Sequence, residues 1–225
     1  MAPAILEKLA KQGISGQIKE KQNYDKSTFY LPWHYLQKSL KFTVISRFFR
    51  FEDGADVVNM CNAGYLDRIR HGYYQLAGAD TSSEEQLLAV LIPKGIVCVE
   101  SALFHYGYSD FAPRKWSIAV PRSMSRTKLD VDALALQTYY VQPEIYELGG
   151  VTDDFSGVKL SIYDRERTIC DCFKYRSRLD HEIFSKALNA YAKDEKKNLQ
   201  NLSIYAKKLR VYKKVNELMS VLLNG

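Results

Sequence analysis

The side chains of this 225-residue chain that could carry a reaction are few and scattered. A divalent-metal nuclease or nucleotidyltransferase needs two or three carboxylates converging on one cation. The candidates are Asp164, Glu166 and Asp171, or the adjacent Asp153 and Asp154, and a helix would bring Asp164 and Asp171 to one face. Both lie among Arg165, Arg167, Lys174 and Arg176, so ion pairing and helix capping account for them more cheaply. Ser101 and His105 are one helical turn apart, the spacing of a nucleophile and its base, but no glycine elbow surrounds Ser101. Neither GxxxxGK[ST] nor GxGxxG occurs, so no phosphate-cradling loop is indicated. Cys61, Cys98, Cys170 and Cys172 form no CxxC pair and have no histidine at finger spacing, so neither a zinc site nor a disulfide framework is indicated and reduced core thiols are expected. His34, His71, His105 and His181 are dispersed. The expectation is a chain that is no enzyme and needs neither metal nor cofactor.

Groups that could bind a polyanion are better represented. Residues 1–80 carry 11 Lys+Arg against 8 Asp+Glu, residues 81–159 carry 7 against 10, and residues 160–225 carry 14 against 8. The net charges of +3, −3 and +6 put an acidic middle between a basic start and a strongly basic end, a layout suited to nucleic acid. Five basic residues and no acidic one fall between Tyr205 and Lys214. Hydrophobic residues at 46% suffice for a buried core, and no apolar run approaches the ~18 residues of a membrane span. The first residues, Met1-Ala2-Pro3-Ala4-Ile5-Leu6, lack a basic stretch followed by a long apolar one, so a cytoplasmic protein with no membrane partner is expected.

The elements that must position these groups fall into two expected domains, 1–80 and 81–225, of mixed α and β (α+β) character. In the first, Ala4 to Gln12 has a helical stripe closed by Gly13, and an aromatic-rich stretch follows from Tyr24 to Phe51. Ala55 to Cys61 reads as a short amphipathic helix with Val57, Val58 and Cys61 inward, Asn59 and Asn62 outward, and Gly64 as its stop. Tyr65 to Leu76 alternates apolar with charged residues about a His71-Gly72 turn, the pattern of a two-stranded wing tipped by Arg68, Arg70 and His71 beside Tyr73. Helix followed by wing is the outline of a winged helix-turn-helix, in which the helix enters the major groove and wing arginines meet phosphates. An ordinary hairpin with solvated arginines fits the pattern equally.

Ala79 to Glu85 reads as a linker. Beyond it, Leu87–Glu100, Trp116–Val120, Val141–Tyr146 and Val158–Tyr163 are expected as strands, with a helix near Ser101–Tyr106 and a basic loop over Pro121–Asp130. The end is expected to be helical: one helix capped by Asp164, one from Asp180, and one spanning Leu199 to Leu223 with Lys207, Arg210 and Lys214 on its outer face.

The segment Val158-Lys159-Leu160-Ser161-Ile162-Tyr163-Asp164-Arg165-Glu166-Arg167-Thr168-Ile169-Cys170-Asp171-Cys172 resembles the AbiEi family of antitoxins of abortive-infection (AbiE-type, type IV) toxin-antitoxin systems. The likeness continues through Leu188-Asn189-Ala190-Tyr191, Lys196-Lys197-Asn198-Leu199 and Tyr205-Ala206-Lys207-Lys208, and upstream to Ser101-Ala102-Leu103-Phe104-His105-Tyr106 and Ile118-Ala119-Val120-Pro121-Arg122. It covers about residues 55 to 225, and Gly64 to Tyr74 looks like the close of the family's winged helix. The resemblance implies a phage-defence protein whose amino-terminal winged helix binds inverted repeats in its own promoter as a transcriptional repressor. It also implies a carboxy-terminal domain that counters an AbiEii-type nucleotidyltransferase-like toxin without a stable complex. The family's basic carboxy-terminal face maps here to Arg165, Arg167, Lys207, Lys208, Arg210 and Lys214. Gly13 to Gly54 departs from the family's opening, being longer and richer in aromatics. That leaves two candidate recognition helices, Ala55–Cys61 directly before the wing, which is favoured, and a basic helix near Lys41–Arg50 bearing Lys41, Arg47 and Arg50. A second reading makes the chain a protein-interaction module that binds the toxin directly through Tyr24–Phe51.

Overall fold

β-Formers flank the turn at Gly72 on both sides, and in the computed structural model they pair as the expected hairpin. The structure describes residues 42–45, 48–51, 58, 61–64, 66–70, 72–76, 83–131 and 134–224. Strands β3 (Leu66–Arg70) and β4 (Tyr73–Leu76) run antiparallel, and Gly72 takes the positive φ of +81° that the tight turn requires. The register slips by one residue between Arg68 and Arg70, a β-bulge that lets Leu66 and Ile69, three apart, both be buried.

The sheet is larger than the two-stranded wing expected. Strands β1 (Phe42–Ile45) and β2 (Phe48–Phe51) form a second antiparallel hairpin, and β2 pairs with β4 to give the order β1-β2-β4-β3. The basic helix considered near Lys41–Arg50 is therefore corrected: its described backbone is strand, as β-branched Thr43, Val44 and Ile45 and the aromatics Phe48, Phe49 and Phe51 favour. Of the helix expected over Ala55–Cys61, Val58 and Cys61 fall among the described residues; both are helical, as is Asn62, and Gly64 closes the segment with φ +71° and its amide on Cys61 O. Val58, expected to face inward, is exposed.

Backbone contacts divide the chain into Met1–Thr81 and Ser82–Gly225. The second unit is built on a five-stranded mixed sheet of order β7-β6-β5-β9-β8, from β5 (Ile96–Val97), β6 (Trp116–Pro121), β7 (Leu136–Val141), β8 (Gly150–Phe155) and β9 (Val158–Tyr163). Parallel pairs β6–β7 and β5–β9 alternate with antiparallel β5–β6 and β8–β9. The helices are α1 (Glu84–Leu91), α2 (Val99–His105), α3 (Pro143–Tyr146), α4 (Arg165–Lys174), α5 (His181–Lys193), α6 (Leu199–Lys208) and α7 (Tyr212–Asn224). Side-chain caps start four of them: Ser83, Asp164, Asp180 and Asn198 accept the amides of Gln86, Arg167, Glu182 and Asn201. The core runs from Ile96, Val99 and Leu103 through Tyr163, Ile169 and Cys172 to Leu188, Tyr191, Ala206 and Met219. Helix α4 is its centre, buried from Glu166 to Phe173 and in contact with α2, α5, α6 and α7. No helix among the described residues is long and apolar enough to cross a membrane.

Three expectations in this unit are corrected. The apolar run Leu87 to Ile92 opens the stretch expected as a strand, but it belongs to helix α1: Leu87, Leu88 and Leu91 bury one face, Ser83 caps it, and Glu84 and Glu85 complement its dipole. Val141 ends β7, and Pro143, preset for the first turn of a helix, begins α3 where strand was expected. The single helix expected over Leu199–Leu223 is two, broken at Leu209-Arg210-Val211.

Candidate nucleic-acid interface

In the first unit, Arg68 is exposed on β3 opposite Tyr74, and Arg70 lies opposite Tyr73 with its guanidinium 4.3 Å from the Tyr73 ring centroid. That stacking orients the Arg70 head beside the turn. Asn62 is exposed at the close of the helical segment. Asn59 and His71 lie outside the described residues, as does the stretch 24–41 of the aromatic-rich region.

The second unit carries a cationic surface at the break between α6 and α7. Arg210 N donates to Lys207 O and Val211 N to Ala206 O, the two bonds of a Schellman motif, which places Arg210 at the left-handed position with φ +60°. The same motif ends α2, where the residue at that position is Gly107 with φ +73° and the bonds run from Gly107 N to Phe104 O and from Tyr108 N to Leu103 O. An L-residue there costs about 1 kcal/mol that glycine does not. Here the chain keeps an arginine, with its side chain in solvent.

Around this joint Lys207, Lys208, Arg210, Lys213 and Lys214 are all exposed, and among the described residues none forms an ion pair with a carboxylate. Lys207 Nζ sits 5.1 Å from the centroid of the half-exposed Tyr212 ring. Lys213 and Lys214 occupy the first turn of α7, where the dipole already presents positive charge and no acidic residue offsets it. Lys213 is not among the residues expected for this face. On the single helix expected over Leu199–Leu223 it falls off the stripe of Lys207, Arg210 and Lys214, whereas the break puts it in the first turn of α7.

Arg165 and Arg167 do not contribute to that face as expected. Arg165 is half-buried, with Nε 3.1 Å from Asp194 Oδ2 and its guanidinium 4.7 Å from the Tyr106 ring centroid. Arg167 is corrected outright: it has 0% exposure. Its Nε is 3.2 Å from both Asp171 oxygens, its Nη1 donates to Ile145 O at 2.7 Å and Leu148 O at 2.8 Å, and its guanidinium lies 4.1 Å from the Tyr163 ring centroid. Gly149, at φ +73°, lets the α3–β8 connection pass against it, since a Cβ there would come 2.7 Å from Arg167 Cβ. This arginine ties α4 to the end of α3 and cannot meet a phosphate.

The carboxylates weighed for metal chemistry are each engaged in the fold. Asp164 accepts the Arg167 amide at 2.7 Å and the Tyr205 hydroxyl at 3.1 Å, and Glu166 accepts the Tyr191 hydroxyl and the Asn198 amide. Burial pushes the carboxyls of Asp164 and Asp171 up from their ordinary range. Among the described residues no group of three or more His, Cys, Asp or Glu is placed to hold a metal. Ser101 Oγ is buried and accepts the Ser117 amide at 2.9 Å, while His105 Nε2 lies 2.9 Å from Asp153 Oδ2, so the Ser101–His105 spacing does not make a nucleophile–base pair. Cys98, Cys170 and Cys172 are buried free thiols whose ionisation burial opposes, which makes them inert.

No family model matches the chain, and no curated protein matches it.

Proposed function

We propose that the chain binds nucleic acid as an AbiEi-like antitoxin, repressing its own promoter at inverted repeats and countering a nucleotidyltransferase-like toxin. One observation carries the reading: five exposed cations lie between Lys207 and Lys214, about the α6–α7 joint, without a carboxylate ion pair among the described residues. Like charges this close along the chain repel one another, and a polyanion that releases its counterions on binding relieves that repulsion. The β3–β4 hairpin, with Arg68 and Arg70 on β3, supports the wing part of this reading. The promoter, the repressor role and the toxin come from the resemblance of Val158–Cys172 and its neighbours. Two half-sites of an inverted repeat would take two copies of the chain.

The test is titration of the protein onto a fluorescent duplex of its own upstream region and onto a scrambled duplex at several salt concentrations. With about five phosphates neutralised, the slope of log K against log salt is on the order of −4 to −5, and replacing Lys207 and Lys208 with Gln reduces it by roughly one for each phosphate no longer neutralised. A preference of about a thousandfold for the upstream duplex supports the repressor reading. Equal and weak binding to both duplexes overturns it, and fixed-stoichiometry co-purification of the toxin would then favour a direct protein-binding module.

A further inference from the structure

The acidic middle of the chain contains a cleft of quite different chemistry from the cationic joint. It has a volume of about 430 Å³ and lies within the second unit, between the start of α1, the outer face of α2, Trp116 on β6 and the β8–β9 turn. Its wall is aromatic. His105 stacks on Phe155 with ring centroids 4.1 Å apart and 23° between planes, and Trp116 stands 6.0 Å from Phe155. Phe104 completes the wall and is 46% exposed, because Val99, Ala102 and Leu103 occupy the inward face of α2. Its rim is acidic. Glu84, Glu85 and Asp154 line it, and Asp153, joined to His105 Nε2, stands alongside. The Trp116 indole N–H donates to Glu84 Oε2 at 2.6 Å, which fixes that carboxylate against the aromatic wall. Neither Lys nor Arg is among its lining residues.

Aromatic faces beside fixed carboxylates favour a flat organic cation. A guanidinium stacks on the ring quadrupole and can bond a carboxylate through two parallel N–H donors, whereas an ammonium is a strongly hydrated point charge and an anion is repelled. The cleft also adjoins an edge strand: in the order β7-β6-β5-β9-β8, β8 is terminal, and its residues Val151 to Asp154 are exposed. An extended peptide can use the outer backbone groups of such a strand, and Asp153 and Asp154 match a basic one. We propose that this cleft takes an arginine side chain presented by an extended basic segment of a partner protein. The inference uses the second unit alone and stands apart from DNA binding.

The test is calorimetric titration of the full chain with acetyl-Gly-Gly-Arg-Gly-Gly-amide, its citrulline counterpart, which keeps the shape and loses the charge, and acetyl-arginine amide. The arginine peptide is expected to bind saturably at one site and the citrulline peptide at least about tenfold more weakly, a difference of about 1.4 kcal/mol. Glu84→Gln/Glu85→Gln is expected to weaken the arginine peptide about tenfold and Phe104→Ala about fivefold, with the helical circular dichroism unchanged. Glutamine at position 84 still offers Trp116 an acceptor, and Phe104 is outside the core, so both variants fold. Binding of the arginine and citrulline peptides with equal affinity overturns the proposal, as does retention of full affinity in the double glutamine variant or no saturation up to roughly 5 mM peptide. Acetyl-arginine amide binding as tightly as the peptide overturns the assignment to an extended partner segment.

Discussion

Replacing Arg167 with Met separates two accounts of the same residue. On the basic-face expectation it meets phosphate, so its loss weakens DNA binding and leaves the fold alone. The structure places it with 0% exposure, its Nε on both Asp171 oxygens and its Nη1 on the carbonyls of Ile145 and Leu148. Removing one partner of a buried pair leaves an uncompensated charge, a loss of about 3–5 kcal/mol. Two carbonyls also lose their donor, but these contributions overlap within one side chain, so the expected total is about 4 kcal/mol. With a urea dependence of about 2 kcal/mol/M, the unfolding midpoint should fall by about 2 M. The assay is urea unfolding of the full chain followed by the helical circular dichroism signal, to which α1–α7 of the second unit contribute. Asp171→Leu combined with Arg167→Met removes both charges and should recover part of the loss, with a coupling of about 1–3 kcal/mol. A midpoint for Arg167→Met within about 0.3 M of the parent, together with weakened DNA binding, would refute the buried-pair account.

Arg210→Gly is expected to act in opposite directions on stability and binding: it relieves the left-handed strain at φ +60°, raising stability by about 0.5–1 kcal/mol, and removes one cation from the joint, lowering DNA affinity and the salt slope. Paired unfolding and binding curves check it, and loss of stability would contradict the Schellman assignment. The acid limb of stability should depend on Asp194. Burial pushes this carboxyl up, but hydrogen bonds from the Tyr108 hydroxyl and the Lys196 amide, with the Arg165 charge, outweigh it and hold the carboxyl below its ordinary 3.8. A carboxyl depressed in the folded state stabilises it above the unfolded value, and that contribution is lost as pH falls below 3.8 through the lower folded value. Asp194→Asn should therefore flatten the decline in unfolding free energy between about pH 4 and pH 2, and an unchanged slope would show that the carboxylate is not held there.

Where the sequence is legible, a local rule decides the backbone. Asp164 and Asp180 announce α4 and α5 because a short acceptor precedes an apolar face at helical spacing. The β3–β4 hairpin follows from alternation about Gly72. Leu87 to Ile92 misleads because an uninterrupted apolar run fits a buried strand and a buried helix alike, and the cap at Ser83 reads as linker. The α6–α7 break is hidden twice over. Leu209, Tyr212, Met219 and Leu222 stand at spacings of three and seven that a continuous helix would also give, and the left-handed residue is arginine where a glycine would have marked the stop. The aromatic cleft has no local signature at all, since Glu84, Phe104, Trp116 and Phe155 meet only through the sheet order.

Counting charge along the chain misjudges what a polyanion would meet, and the burial of α4 explains how. Of the cations after residue 159, Arg167 is consumed by Asp171 and Arg165 by Asp194, while Lys186 pairs with Glu182 and Asp110. The acids are consumed in the same places: Asp164, Glu166 and Asp171 accept bonds inside the fold. Cancellation is therefore concentrated around α4 and its neighbours, and the five cations of the α6–α7 joint are left without a carboxylate ion pair among the described residues. The single acid of α7, Glu217, follows Lys213 by four residues, the weaker of the two orders for a helical ion pair, and forms no pair with it. The helix break also changes how these side chains are phased: a continuous helix would wind Lys207, Arg210 and Lys214 along one stripe and turn Lys208 and Lys213 away from it.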